Sequence, residues 1–372
     1  MASFEMANGS LPISVDVKRL AIICPSWVGD TVMATPVLRA TRTMRPDTHI
    51  TVVCRPGLDE LLAGCPWIDD LIAVDMKRIG GTLQAVRRLR DAGITAALLL
   101  PNGLRSAFVA VLAGARVRVG YRRAGRGPLL SHGLARPPGR GPVAALDYYA
   151  SLARFALGLD HVDTRMELAV TETQRTEAVR LLQGVPRPLV VLCPGANRTA
   201  KRWPAERFAA VADELATRHG LAVVATGSPA ERPVIARVMA AARTPVVDLI
   251  GQGVTLGALK GIIAEARLMI TNDTGPRHIA AALGTPTVSL FGPTDPRWTT
   301  IDSPCEKILV AEPFLPAELV ADDHPTGCVI GRITVGDVLS AAGQLLAAAA
   351  ATAGATRDAL PAATPPDTAD RP

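Results

Sequence analysis

The chain has 372 residues, 48% of them hydrophobic, 20% charged and only 3% aromatic, with a formal net charge of +6. That length holds two domains of ordinary size with large apolar cores. So few aromatics cannot build base-stacking platforms, so nucleic acid is not an expected partner. The six cysteines (Cys24, Cys54, Cys65, Cys193, Cys305, Cys328) form no C-x-x-C pair. This argues against a zinc ribbon or redox motif and fits a reducing cytoplasm.

Residues 1–17 are read as an N-terminal extension. Its first 13 residues carry Glu5 and no basic patch before an apolar core, which is not a signal-peptide pattern. Strands are expected at residues 19–24, 50–54, 71–74 and 96–100, with helices at 31–45, 58–65, 83–92 and 106–113. Such alternation means βαβ units and a parallel sheet. Residues 125–142, rich in Gly, Pro and Arg, are expected to be a loop. Arg116, Arg118, Arg122, Arg123, Arg126, Arg136 and Arg140 fall in one stretch without Asp or Glu and carry the whole positive excess. A stretch of this kind meets an anionic partner, or is simply a solvated loop.

After a helix at residues 145–157 and a boundary near 184–188, the alternation restarts. Strands are expected at 189–193, 222–226, 246–248, 266–270 and 287–291, and helices at 208–219, 234–242, 256–264 and 335–351. The longest uncharged run, 338–356, is mostly alanine and reads as a soluble helix rather than a membrane span. The architecture is thus α/β and doubled, with domains at 18–184 and 185–351 and a disordered tail at 352–372.

Two strand ends carry candidate chemistry. In the first half, PSWVGD places Asp30 at a helix start, as an N-cap or as a carboxylate able to take a proton from a hydroxyl. In the second half, TNDTGPRHIAAALGTPTVSLFGPTDPRWT reads as strand, polar turn, helix and strand. A turn there suits an anion at the helix N-terminus. Asp273 can accept from hydroxyls and His278 can donate to a phosphate or sugar oxygen. Gly275 allows close backbone approach, and Pro276 fits a first helical turn. The plain alternative is a capping Asp beside a satisfied His. CPGANRTAKRWP adds Lys201, suited to a pyrophosphate, while Trp203 and Phe208 read as helix packing. Glu231 accepts from ribose hydroxyls or sits in a helix's first turn. The G-x-x-x-x-G-K-[ST], G-x-G-x-x-G and G-x-S-x-G patterns are all absent. The histidines are scattered and no D-x-D turn occurs, so neither a metal nor a cofactor is expected.

PSWVGDTVMATPVLRA, CPGANRTAKRWPAERF, ATGSPAE and TNDTGPRHIAAALGTPTVSLFGPTDP, in this order, resemble glycosyltransferase family 9, the lipopolysaccharide heptosyltransferases, and most of all the heptosyltransferase II branch. The resemblance runs from about residue 19 to 346. It implies the glycosyltransferase B fold, two Rossmann-like domains facing across a cleft. The first takes an anionic lipid-linked saccharide and the second a nucleotide sugar, here ADP-heptose. It implies an inverting, metal-independent transfer with Asp30 as general base. Donor binding falls to Lys201, Glu231, Asp273, Thr274, Gly275 and His278. Arg118, Arg122 and Arg123 are the expected acceptor contacts, with the enzyme cytoplasmic and peripheral to the inner membrane surface. Pro276-Arg277 departs from the apolar residues of close relatives, so Arg277 is read as an extra diphosphate contact or the mark of a different sugar. The alternatives are another nucleotide-activated sugar or acceptor, a non-catalytic sugar-nucleotide-binding protein, and a nucleotide-dependent epimerase or dehydrogenase. The missing dinucleotide fingerprint disfavours the last.

Overall fold

The computed structural model describes residues 11–136, 141–312, 314–316, 319–324 and 326–358. The first half holds β1 (Arg19–Ile23), α1 (Val28–Met33), α2 (Thr35–Met44), β2 (His49–Cys54), α3 (Leu58–Leu62), β3 (Asp70–Ala73), α4 (Ile79–Asp91), β4 (Ala96–Leu99), α5 (Leu104–Leu112), β5 (Val117–Tyr121), β6 (His132–Leu134), α6 (Ala145–Leu157) and α7 (Glu172–Leu181). The second holds β7 (Leu189–Cys193), α8 (Ala205–His219), β8 (Ala222–Ala225), α9 (Arg232–Ala241), β9 (Val246–Asp248), α10 (Leu256–Glu265), β10 (Leu268–Asn272), α11 (Gly275–Leu283), β11 (Thr287–Phe291), β12 (Glu306–Val310) and α12 (Val335–Asp358).

Both sheets have six strands, all parallel. Their orders are β3-β2-β1-β4-β5-β6 and β9-β8-β7-β10-β11-β12, so the second repeats the first. The central strands are mostly apolar and buried, β7 (Leu189–Cys193) throughout. Helices on both faces demand this, since neither face meets water. This is the expected fold class, two doubly wound α/β lobes.

Several expectations are corrected. The helix expected at 31–45 is two helices that start at Val28 and break at Ala34, because Pro36 lacks the N–H a continuous helix needs there. The loop expected at 125–142 contains β6, and β5 lies within the arginine stretch. The β-branched run of β5 is interrupted by Arg118, and β6, His-Gly-Leu, is too short to show a strand pattern. The N-terminal extension is not detached from the lobe: Ile13 is fully buried and its N–H donates to Ala156 O at 3.0 Å. The tail expected from residue 352 continues α12 as far as Asp358. The remainder of that tail, residues 1–10 of the extension, and Arg140 lie outside the described residues. Among the described residues no helix is long and apolar enough to cross a membrane.

The lobes meet through α10, which packs on α7 and on α3. Gly261 lets α7 approach, since a Cβ there would lie 2.9 Å from Ala178 Cβ. Lys260, with no exposed surface, sends Nζ across to the carboxyl end of α3, donating to Glu60 O at 3.2 Å, Leu61 O at 2.9 Å and Ala63 O at 2.9 Å. These are the carbonyls a helix end leaves without partners. Gln174 Nε2 also donates to Glu60 O at 2.7 Å, and Gly257 N–H to Glu60 Oε2 at 2.9 Å. Lys260→Met keeps the stem but orphans the carbonyls, and should lower unfolding free energy by about 2–4 kcal/mol in urea titration. A loss under about 0.5 kcal/mol, the scale of a neutral surface change, would show that this contact does not hold the lobes.

Candidate active site

In a doubly wound sheet the ligand crevice opens at the carboxyl ends of the strands where the order reverses. Here those points lie between β1 and β4 in the first lobe and between β7 and β10 in the second. The β1 end carries Asp30, and the β7 and β10 ends carry Lys201 and Asp273.

Asp30 is not an N-cap. Trp27 holds that position without a side-chain bond, and Asp30 lies within the first turn of α1. Its Oδ1 accepts from Tyr149 Oη on α6 at 3.2 Å. Burial raises the Asp30 pKa above the usual carboxylate range, and the tyrosine bond offsets this only in part. Among the described residues no Lys, Arg or His forms an ion pair with it.

In the second lobe Lys201 Nζ meets Asp273 Oδ2 at 2.7 Å, both nearly buried. Burial works to raise the Asp273 pKa, but the Lys201 charge and hydrogen bond, aided by Arg277, outweigh it and hold the carboxyl below its ordinary value. Asn272, passed over in the sequence, braces this corner. Its Nδ2 donates to Pro194 O at 2.9 Å and Gly195 O at 3.1 Å, while its Oδ1 accepts from Trp203 N–H at 3.2 Å. A polar side chain ending a buried apolar strand was the available signal. Trp203 packs edge-on against Phe208 in the core, as expected.

Glu231 is in a helical first turn. Its Oε2 accepts from Ser228 N–H at 2.6 Å and Ser228 Oγ at 2.8 Å. The same carboxylate lies over Gly195, where a Cβ would come within 2.3 Å of its Cδ. Glu231 is therefore wedged between the β7 and β8 loops on the carboxyl rim. Thr274 is the N-cap residue of α11, and its Oγ1 donates to Asn272 O at 3.2 Å.

Arg277 does not face a ligand. It is fully buried, with Nε 2.5 Å from Glu306 Oε1 and Nη2 3.0 Å from Glu306 Oε2. Its Nη1 donates to Thr299 O at 2.9 Å, and its guanidinium lies 4.8 Å from the Phe291 ring centroid. The reading of Arg277 as an extra diphosphate contact is thereby corrected: β12 supplies a buried carboxylate that claims it.

His278 is buried, and among the described residues the only hydrogen-bond contact of its ring is a long one, Nδ1 to Thr274 O at 3.4 Å, while Nε2 has no partner. Burial, then the Arg277 charge, pull its pKa down to about 4, so the ring is neutral at pH 7. Thr226 Oγ1 and Thr294 Oγ1 are also buried and unpartnered. They follow β8 and β11, so three orphaned polar atoms line the carboxyl rim of the second sheet. Buried polar groups without partners are rare, and these three share one rim with Lys201 and Asp273.

The two half-sites touch. A Cβ on Gly29 would fall 2.8 Å from His278 Nδ1, and one on Gly275 would fall 2.7 Å from Val28 Cβ. The starts of α1 and α11 therefore abut, a glycine on each taking a side chain of the other: Gly275 that of Val28 and Gly29 that of His278. What approaches Gly275 in this structure is the other lobe. Asp30 and His278 are thus on adjoining turns, and Asp273 and Lys201 follow from His278.

The expected acceptor arginines divide. Arg118 lies on β5 and spends its guanidinium on Leu129 O at 2.6 Å, Ala115 O at 2.6 Å and Arg116 O at 3.0 Å, so it is a structural residue. Arg122 and Arg123 are exposed just past the carboxyl end of β5. Sequence reasoning missed Arg55, Lys77 and Arg105. They line a cavity of about 150 Å³ at the carboxyl ends of β1 to β4, with Cys24 and Ser26 of the Asp30 loop. All three are exposed, and among the described residues none is in an ion pair. Arg55 and Arg105 have no charged neighbour in sequence and Lys77 has only Arg78 beside it, so no charge run advertised them.

The family model for glycosyltransferase family 9 (heptosyltransferase) matches residues 82–313. The chain belongs to that family. It is 30% identical over 296 residues to lipopolysaccharide heptosyltransferase 2 of Escherichia coli strain K12, covering 76% of this chain and 84% of the relative. The solved structure of E. coli ADP-heptose lps heptosyltransferase II superposes with a TM-score of 0.74 at 28% identity, over 88% of this chain and 98% of that one. The family 9 glycosyltransferase of Veillonella parvula DSM 2008 gives a TM-score of 0.77 at 25% identity, over 90% and 98%. This family 9 chain is accordingly a glycosyltransferase with the two-lobed B fold. Among its described residues no group of three His, Cys, Asp or Glu is placed to hold a metal ion.

The neutral imidazole of this glycosyltransferase has a consequence for stability. His278 gains its proton only near pH 4, against 6.5 in an unfolded chain. Between those values the unfolded state binds more protons. Stability therefore rises with pH across about 4 to 6.5 and is lost on acidification through that window. His278→Gln should flatten the dependence of unfolding free energy on pH there. An unchanged slope would mean the folded ring is freely protonated.

Proposed function

We propose that this enzyme transfers a heptose from ADP-heptose onto the inner-core saccharide of lipopolysaccharide, inverting the anomeric centre in one displacement without a metal ion. The observation that carries this reading is the abutment of α1 and α11, which sets an unpaired carboxylate beside a cationic, donor-rich rim. The names of the relatives supply the sugar and the acceptor.

In this reading an acceptor hydroxyl attacks the anomeric carbon as the bond from that carbon to the diphosphate oxygen breaks. Asp30 takes the hydroxyl proton. Its burial raises its proton affinity, which suits a base working near neutral pH. The leaving diphosphate gains one negative charge. Lys201, held in place by Asp273, and the start of α11 oppose that charge. Lys201, Glu231, Asp273, Thr274, Gly275 and His278 form the donor side. His278 acts as a neutral ring, with Nδ1 toward Thr274 O and Nε2 left for a donor hydroxyl. The three unpaired cations of the first-lobe cavity, with Arg122 and Arg123, face the anionic groups of the acceptor. The acceptor's lipid brings the enzyme to the inner membrane surface, a peripheral contact on the cytoplasmic side.

The test is turnover of ADP-heptose with a lipid-linked inner-core saccharide, read as released ADP. Asp30→Asn should cut kcat by about 10²–10⁴-fold, the usual worth of a general base, with ADP affinity by calorimetry unchanged. Wild-type turnover in that variant would remove Asp30 from the chemistry. A parallel loss of ADP binding would make it a structural residue.

A further inference from the structure

The Asp30 carboxylate is held from one side only. Oδ1 accepts from the Tyr149 phenol at 3.2 Å, whereas Oδ2 makes no hydrogen bond among the described residues. Tyr149 is itself nearly buried and comes from the middle of α6, a helix that packs on both α1 and α2. That helix is tied down beside it. Tyr148 stacks on Tyr121 with ring centroids 3.9 Å apart and donates through Oη to Asn102 Oδ1 at 2.9 Å. Tyr121 Oη donates to Tyr148 O at 2.8 Å. The phenol that reaches Asp30 is therefore mounted on an anchored turn.

Resting on the reading of Asp30 as general base, we propose that Tyr149 is a positioning residue for it: the phenol O–H pins Oδ1 and turns Oδ2 toward the cleft as the oxygen that takes the acceptor's proton. The bookkeeping is simple. The Tyr149 proton stays on the phenol throughout, and the acceptor hydroxyl proton passes to Oδ2 as the glycosidic bond forms and the bond to diphosphate breaks. The phenol can keep its proton because burial, then the Asp30 charge, push its pKa far above the ordinary tyrosine value.

The groups around Asp30 leave this role to Tyr149. From β1 there is Cys24, whose thiol burial keeps protonated. From α11 there is His278, neutral and set against Gly29, with Asp273 and Arg277 engaged behind it. From α2, Thr35 Oγ1 donates to Val32 O at 2.7 Å. Among the described residues no cation stands within ion-pair distance of Asp30 to replace the phenol. A hydrogen bond to a carboxylate favours its charged form, so removing it should raise the Asp30 pKa.

Tyr149→Phe removes one oxygen atom and leaves the ring in its packing. With ADP-heptose and a deacylated inner-core saccharide, the acid limb of kcat/KM against pH should move up by about one unit, a tenfold loss on that limb. kcat at the plateau should also fall, while the ADP dissociation constant and the thermal midpoint stay as in the wild type. An unmoved acid limb overturns the proposal, whether kcat is unchanged or uniformly reduced. Asp30→Asn in the same assay separates the two claims. If it retains turnover, the base reading has failed. If it is inactive while the Tyr149→Phe limb stays in place, the base stands and the positioning role falls.

Discussion

Two helix starts press together, each glycine meeting a side chain of the other lobe: Val28 against Gly275 and the His278 ring against Gly29. Val28 and Gly29 open α1, Gly275 opens α11, and the Cβ distances leave no room for larger residues at either glycine. Close packing makes such a contact discrete rather than elastic. Everything assigned to the site is referred to it. Asp30 follows Gly29 directly, His278 rests on Gly29, and Asp273 and Lys201 are reached from His278 through α11 and the end of β10. The remote contact, where Lys260 caps α3, fixes the lobes at a second place, so their relation is set by two buried points.

The two carboxylates of the site are buried to similar effect and yet differ in state. Burial raises Asp30, and only a neutral phenol answers it. Burial also acts to raise Asp273, but a lysine at 2.7 Å reverses the outcome. Environments that push two acids apart assign them different work. On the proposed reading, a group that readily takes a proton suits the base, and a group held ionised suits the anchor for a cation that faces a diphosphate. The neutral His278 adds no charge to this balance, and its unpartnered Nε2 leaves a polar contact for a ligand to complete.

Much of this was legible in the chain because the signals are local. Asp30, Lys201, Asp273 and His278 each lie within eight residues after a strand end, and Gly29 and Gly275 announce a close approach. The strand–helix alternation placed most of both sheets, missing β5 and β6 in the arginine stretch and β12 at the edge of the second sheet. What could not be read depends on distant partners. Tyr149 meets Asp30 from 119 residues away, and its helix shows only an apolar face in sequence. Arg277 was read as a ligand contact because Glu306 lies 29 residues on, at the start of an unrecognised strand. Lys260 reads as an ordinary helix lysine, although its carbonyl partner at Leu61 is 199 positions away. Asn272 was legible in principle, but the residues beside it carry stronger chemical signals.

The abutment itself is open to a direct measurement. Gly29→Ala adds one methyl group, aimed at the His278 ring, and leaves the second-lobe groups Lys201, Asp273 and Glu231 in place. Transfer rate and nucleotide affinity should separate in that variant. ADP should bind as tightly as to the wild type, while sugar transfer falls by about 10²-fold, the scale of an ångström's misplacement of reacting groups. Wild-type transfer by the folded alanine variant would contradict the account, because the two half-sites would then work without touching.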